Sequence, residues 1–226
     1  MFSVNKPLLV LTSAFVAAGN SFAQWDGGIE AGARLGGDDG PALRFFARNQ
    51  STPLSHYLFL DWIRDSGGSN YRIGYNPTYK ISESVYSFGR FSIEDDDPSA
   101  IDRELDAQIG LGNNLFRRGN TRVIAEAGVG ARQLTFDDNS DSSEDGFVFL
   151  GGRITSSSLP VVRFDASINA QAGSDQTTLD GEAGISVPIT GGVFLRYAYT
   201  VTRFDIGGVD DNIITEDSFV TLTYDF

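Results

Sequence analysis

From Trp25 to Phe226 the chain alternates apolar and polar residues with a period of two, again and again, in segments of about ten residues separated by polar turns. Segment 121–132 shows it well. Val123, Ala125, Ala127, Val129 and Ala131 fall on one face, and Arg122, Glu126, Gly128, Gly130 and Arg132 on the other. In a strand successive side chains point to opposite faces, so each such segment has one apolar and one polar face. Segment 161–171 repeats the pattern, with Val162, Phe164, Ala166, Ile168 and Ala170 against Arg163, Asp165, Ser167, Asn169 and Gln171. A soluble sandwich also alternates, but its water-facing side favours Lys, Thr and Ser. Here the polar face carries Arg, Asp, Glu and Gly. Apolar-out and polar-in over segments of this length is the pattern of a barrel that crosses a membrane with strands.

The predicted strands are 25–35, 42–49, 56–64, 70–81, 85–94, 104–114, 121–135, 146–156, 160–172, 178–189, 193–204 and 216–226. The expected fold is therefore all-β, a closed antiparallel transmembrane β-barrel of about twelve strands, with ten to fourteen as the range. Pro77 interrupts the fourth segment and cannot donate a ladder hydrogen bond, so a bulge is expected there.

The first residues read differently. Lys6 precedes an apolar run from Leu8 to Ala18, and Ser21-Phe22-Ala23 supplies a small-x-small site. That order matches a secretory signal peptide over 1–23, leaving 24–226 as a single barrel domain. The run is too short for a spanning helix, which needs about 20 apolar residues. The chain has no Cys, so it carries no thiolate metal site. Its 17 basic residues face 30 acidic ones, a net charge of −13, which argues against nucleic acid as a partner.

Charge also orients the barrel. With both termini on the periplasmic side, the outer loops are 36–41, 65–69, 94–104, 136–146, 173–177 and 205–217. These hold two thirds of the 30 acidic residues, while the inner turns hold Glu83 beside Lys80, Arg117, Arg118 and Arg122. Long outer loops and short inner turns are the usual arrangement. The acidic loops read either as a solvated rim or as a weak site for hard divalent cations shared with lipopolysaccharide phosphates. Segment 137–145, DDNSDSSED, lacks the Gly an EF-hand loop needs at its sixth position, and no metal site or cofactor is assigned.

The lumen-lining candidates are Arg72, Arg90, Arg132, Arg153, Arg163, Arg196, Glu126, Asp165 and Glu182. With the other inward charges they nearly balance, and two readings stay open. They form either a paired network filling a narrow lumen or the lining of a small aqueous pore. Width does not decide, because twelve strands lie between a filled barrel of about eight and an open one of about 16. Gly110-Leu111-Gly112 and Gly128-Val129-Gly130 are not phosphate loops, and their inward glycines are expected to give room to a long Arg or Glu. His56, the only histidine, is expected in an inner turn, and no Ser–His–Asp set forms around it, so no catalytic residue is assigned. The last strand places Val220, Leu222, Tyr224 and Phe226 on the lipid face. A terminal aromatic after alternating apolar residues resembles the strand read by the outer-membrane assembly machinery. That machinery, lipid and lipopolysaccharide are the expected partners.

At YSFGRFSIEDDD (86–97), IDRELDAQIGLG (101–112) and IAEAGVGARQLTF (124–136) the chain resembles the salt-induced outer-membrane protein family (YdiY-like), whose domain is of unknown function. The likeness spans the mature chain and is firmest over 70–136. It implies an outer-membrane barrel linked to salt or osmotic response, and it carries no site residues. The chain departs from the family at 36–41, which is short and acidic. A second resemblance is to small twelve-stranded porins for acidic sugars, which would imply a net-basic lumen.

Overall fold

The computed structural model describes residues 25–36, 39–50, 52–64, 68–97, 101–136, 142–159, 162–174, 176–206 and 213–226. Its elements are β1 (Trp25–Gly36), β2 (Gly40–Asn49), β3 (Leu54–Arg64), β4 (Ser69–Lys80), β5 (Val85–Asp97), β6 (Ile101–Arg118), β7 (Thr121–Phe136), β8 (Ser142–Leu159), β9 (Val162–Gly173), β10 (Gln176–Thr190), β11 (Val193–Ile206) and β12 (Ile213–Asp225). Each strand pairs antiparallel with the next, and β12 returns to β1 to close the barrel. Closure removes the unpaired edges that an open sheet would expose. It extends to the last residue, because Phe226 and Gly27 exchange backbone hydrogen bonds of 2.9 and 3.0 Å.

All twelve predicted strands exist, and several run further than the alternation suggests. β6 and β8 each span 18 residues and take up much of the expected loops 94–104 and 136–146. Beyond the lipid, an outward position gains nothing from an apolar side chain. The ladder there continues without the pattern that reveals it, as in the register pairs Glu94↔Glu104 and Asp95↔Arg103. The outer connections are accordingly short, not long. Residues 137–141, the start of the acidic DDNSDSSED segment, lie outside the described residues, as do 1–24 and with them the expected leader.

Pro77 makes no bulge. The β4–β5 register is continuous across it, and the ladder simply omits Asn76 and Pro77 between Tyr75↔Phe91 and Thr78↔Phe88. Register shifts occur elsewhere, at 101/103, 114/116, 156/159 and 188/190. The turn between β10 and β11 is Gly191-Gly192, with φ of +48° and +84°. Two positive φ values in a two-residue hairpin suit the twist of the flanking strands and call for Gly.

The packing is inverted relative to a soluble protein. Leu150, Ile109 and Phe226 are among the most exposed large apolar residues, at 67, 62 and 66%, and all face outward. Val220, Leu222 and Tyr224 share that face. Inside the barrel, Phe149 is 2% exposed. His56 lies within β3 rather than in a turn, where its ring stacks between Trp25 and Tyr75, and its Nδ1 is 2.8 Å from the Tyr75 hydroxyl.

Candidate functional site: the lumen

The inward faces build two unlike walls. On β5–β8 four inward glycines lie opposite aromatic rings. Tyr86 pairs with Gly112 and Phe88 with Gly110, while Phe149 pairs with Gly128 and Phe147 with Gly130. Gly110 and Gly128 are themselves paired, so four strands carry the row Phe88, Gly110, Gly128, Phe149. Without side chains on β6 and β7, the rings from β5 and β8 fold inward and meet, with centroids 5.6 Å apart and planes tilted by 58°. A methyl group on Gly128 would come within 2.7 Å of the Phe149 ring and closer still to the Ile109 carbonyl. Phe59 opposite Gly74 and Phe46 opposite Gly28 repeat the device. These glycines therefore make room for rings, not for the Arg or Glu side chains expected from the sequence.

Arginines cap the rings. The Arg90 guanidinium carbon lies 4.5 Å from the centroid of Phe88 and 5.6 Å from that of Phe149, and Arg90 pairs with Glu126, which also accepts a 2.8 Å hydrogen bond from the Tyr86 hydroxyl. Arg132 lies over Phe147 and reaches Glu104 at 2.8 Å and Asp106 at 3.7 Å, while Arg72 lies over Phe59 and near Glu94. A cation over a ring face gains about 0.5–2 kcal/mol, more as water is excluded. This wall is a small core in its own right.

The wall made by β9–β12 and β1 carries short polar side chains and ions. Arg196 is shared by Glu182 at 2.5 Å, Asp165 at 3.0 Å and Glu30 at 3.6 Å. Glu30 accepts a 2.5 Å hydrogen bond from the Thr221 hydroxyl. Arg163 lies 3.2 Å from Asp225 and stacks at 4.0 Å on Phe194. Nearby, Arg44 grips Asp61 in a two-point pair of 2.6 and 3.0 Å. These pairs join strands at most three places apart around the ring. They run along the wall instead of reaching across the axis.

Space remains beside that wall. A cavity of about 470 Å³ is lined by Arg72, Asn169, Asp180, Glu182, Arg196 and Thr200 among others. A second, of about 420 Å³, is lined by Arg153, Arg163, Asp165, Glu182, Arg196 and Thr223 among others. The two share Glu30, Arg44, Ser167, Glu182 and Arg196. A third, of about 1230 Å³, opens at the end that holds the termini and shares Arg48, Tyr57 and Arg153 with the second. Asn169 Oδ1 and Thr223 Oγ1 are buried against these spaces with no hydrogen-bond partner among the described residues. Buried polar atoms are almost always satisfied, so these call for water.

Eight of the nine predicted lumen residues lie on the strands of these two walls, among them Arg153 on β8 where the two lower cavities meet, and the ninth, Arg72, lies on β4 and lines the 470 Å³ cavity. The sequence reading missed the rings. Arg117, expected in a turn, lies in β6, and it lines the 1230 Å³ cavity together with Arg122. The available clue was spacing: aromatics two apart at 86/88 and 147/149, glycines two apart at 110/112 and 128/130.

Comparison with known proteins agrees with this architecture. The family described as "Protein of unknown function, DUF481" matches residues 63–226. No curated protein sequence matches the chain. Among solved structures, the NanC porin superposes with a TM-score of 0.59 at 11% identity, over 88% of this chain and 98% of its own. The KdgM porin gives 0.55 at 12% identity over 88% and 99%. The translocator domain of the autotransporter NalP from Neisseria meningitidis gives 0.50 at 10% identity over 97% and 96%. At these identities the likeness is one of fold, that of outer-membrane barrels.

Proposed function

The chain belongs to the DUF481 family of proteins of unknown function, and on that footing we propose that it is a non-enzymatic barrel of the bacterial outer membrane whose narrow lumen passes small solutes or ions. In this reading the end holding both termini is periplasmic, a leader over 1–23 directs export, and the strand ending Val220, Leu222, Tyr224, Phe226 engages the assembly machinery. The observation that carries it is the run of adjoining cavities, two beside the β9–β12 wall and a third lined by β2–β8 at the end that holds the termini, with ion pairs held to the walls. A paired ionic lining offers a permeating ion alternative ligands at each level without a deep trap.

The test is reconstitution of the folded protein in planar bilayers. Discrete, small conductance steps are expected, and silence at every voltage would sink the pore. A plugged barrel presenting acidic loops is the rival, and the ring cluster on β5–β8 favours it by filling one side of the lumen. It predicts that silence, together with binding of divalent cations or lipopolysaccharide that weakens when loop acids become Ser. A link to salt or osmotic stress rests on the family resemblance and would appear as raised expression at high salt.

A further inference from the structure

The end of the lumen that holds the termini has an electrostatic character of its own. Its 1230 Å³ cavity is lined by Arg48, Lys80, Arg117, Arg122 and Arg153, against only Glu83 and Glu126. Glu126 is already engaged by Arg90 and Tyr86. Lys80, Arg117 and Arg153 have no ion-pair partner among the described residues, and Arg122 donates from Nε to a neutral acceptor, Asn114 Oδ1, at 2.5 Å. The vestibule is a concave space with a positive surplus.

A backbone device produces part of that surplus. The register shift between Asn114 and Phe116 inserts one extra residue into β6. Leu115 and Phe116 consequently both lie exposed, at 62 and 47%, and the next residue, Arg117, is turned to the face that lines the cavity. Bulges re-aim side chains in this way. The result is a direct register pair, Arg117↔Arg122, with Arg153 on the adjoining strand opposite Ile124. Like charges directly opposite each other destabilise a sheet. Three guanidinium forks converging on one cavity suit an oxyanion, which each can bind through two parallel hydrogen bonds.

We propose that this vestibule is a binding site for a small multivalent oxyanion, carrying phosphate or carboxylate groups, and that it gives the pore one anion-attracting end. At the opposite mouth the inward acids are paired, Glu104 with Arg132 at 2.8 Å and Asp217 with Arg34 at 3.6 Å. The positive surplus is thus placed at one end of the axis. The conductance part of this proposal rests on the pore reading, and the binding part does not.

Two measurements separate them. In the first, tripolyphosphate and citrate are titrated into the detergent-folded full barrel by calorimetry, beside the R117Q/R122Q/R153Q variant. Saturable binding of at least one probe is expected, weakened tenfold or more in the variant. Removing the facing arginines relieves repulsion, so the variant should keep the heat-shifted gel mobility of a folded barrel. Should it misfold, Arg153→Gln alone replaces it, with a loss of threefold or more expected. No binding of either probe, or equal binding by the variant, overturns the site.

In the second, the probe that binds is added to one side of a bilayer holding oriented channels. Block from the terminal side at concentrations tenfold lower than from the other is expected, together with a rectifying current. Equal block and a linear current overturn the polarity. Channels silent throughout, with binding intact, would refute the pore and leave the anion site standing.

Discussion

The β5–β8 wall and the β9–β12 wall obey the same outward rule and opposite inward ones. Both present Leu, Ile, Val and Phe to lipid. Inside, the first pairs glycine with aromatic rings until it has a dry layer, with Tyr86, Phe88, Phe147 and Phe149 buried together and Ile124 packed against them. The second keeps Ser, Thr, Asn and ions, and the cavities lie against it. A twelve-stranded barrel has more interior than side chains of ordinary length fill. Filling one side with a ring core leaves the two smaller cavities against the other.

The largest effect expected from breaking this contrast is on the ring wall. Phe149→Ala removes a side chain that is 2% exposed and should cost about 3–5 kcal/mol, measured by urea unfolding of the folded barrel. Conductance should rise in the same variant as the passage widens. A stability change below about 1 kcal/mol would mean that the rings are not a core. Next, Gly128→Ala drives a methyl group into the Ile109 carbonyl and the Phe149 ring. Overpacking of this kind costs about 1–3 kcal/mol, and the same unfolding curve reads it.

On the ionic wall, Arg196→Met strands the carboxylates of Glu30, Asp165 and Glu182. Breaking a buried pair costs about 3–5 kcal/mol, but a hydrated lumen screens the loss, so about 1–2 kcal/mol is expected. The more telling readout is the reversal potential in a salt gradient, which should move toward cation selectivity. An unmoved potential would place Arg196 away from the ion path. The smallest effect is kept for Gly151→Ala. There the added methyl meets nothing nearer than 3.6 Å, and stability should stay within about 0.5 kcal/mol. Together with Gly128 it asks whether inward glycines matter as such or only beneath rings.

The barrel was legible in the chain because lipid forces an apolar residue at every second position, as at Val123, Ala125, Ala127, Val129 and Ala131. Where lipid ends, so does the rule, which is why the alternation stops short of the real ends of β6 and β8. The ionic lining was legible too, since Arg163, Asp165 and Glu182 stand out on a polar face. The ring wall was not. Phe88 and Phe149 look like any apolar strand residue until their partners across the ladder are known to be Gly110 and Gly128, and that is a fact about register. Arg117, which faces Arg122, was hidden by one inserted residue, because a bulge shifts the face of everything beyond it.

Since the chain has no Cys, a single thiol can be placed at will, and Ser167→Cys puts one where the two smaller cavities meet. The decisive measurement is the bilayer current of this variant before and after a charged, water-soluble methanethiosulfonate. A passage along the β9–β12 wall predicts a stepwise, irreversible fall in current that the cysteine-free protein does not show. Full current after quantitative labelling of the thiol would contradict it.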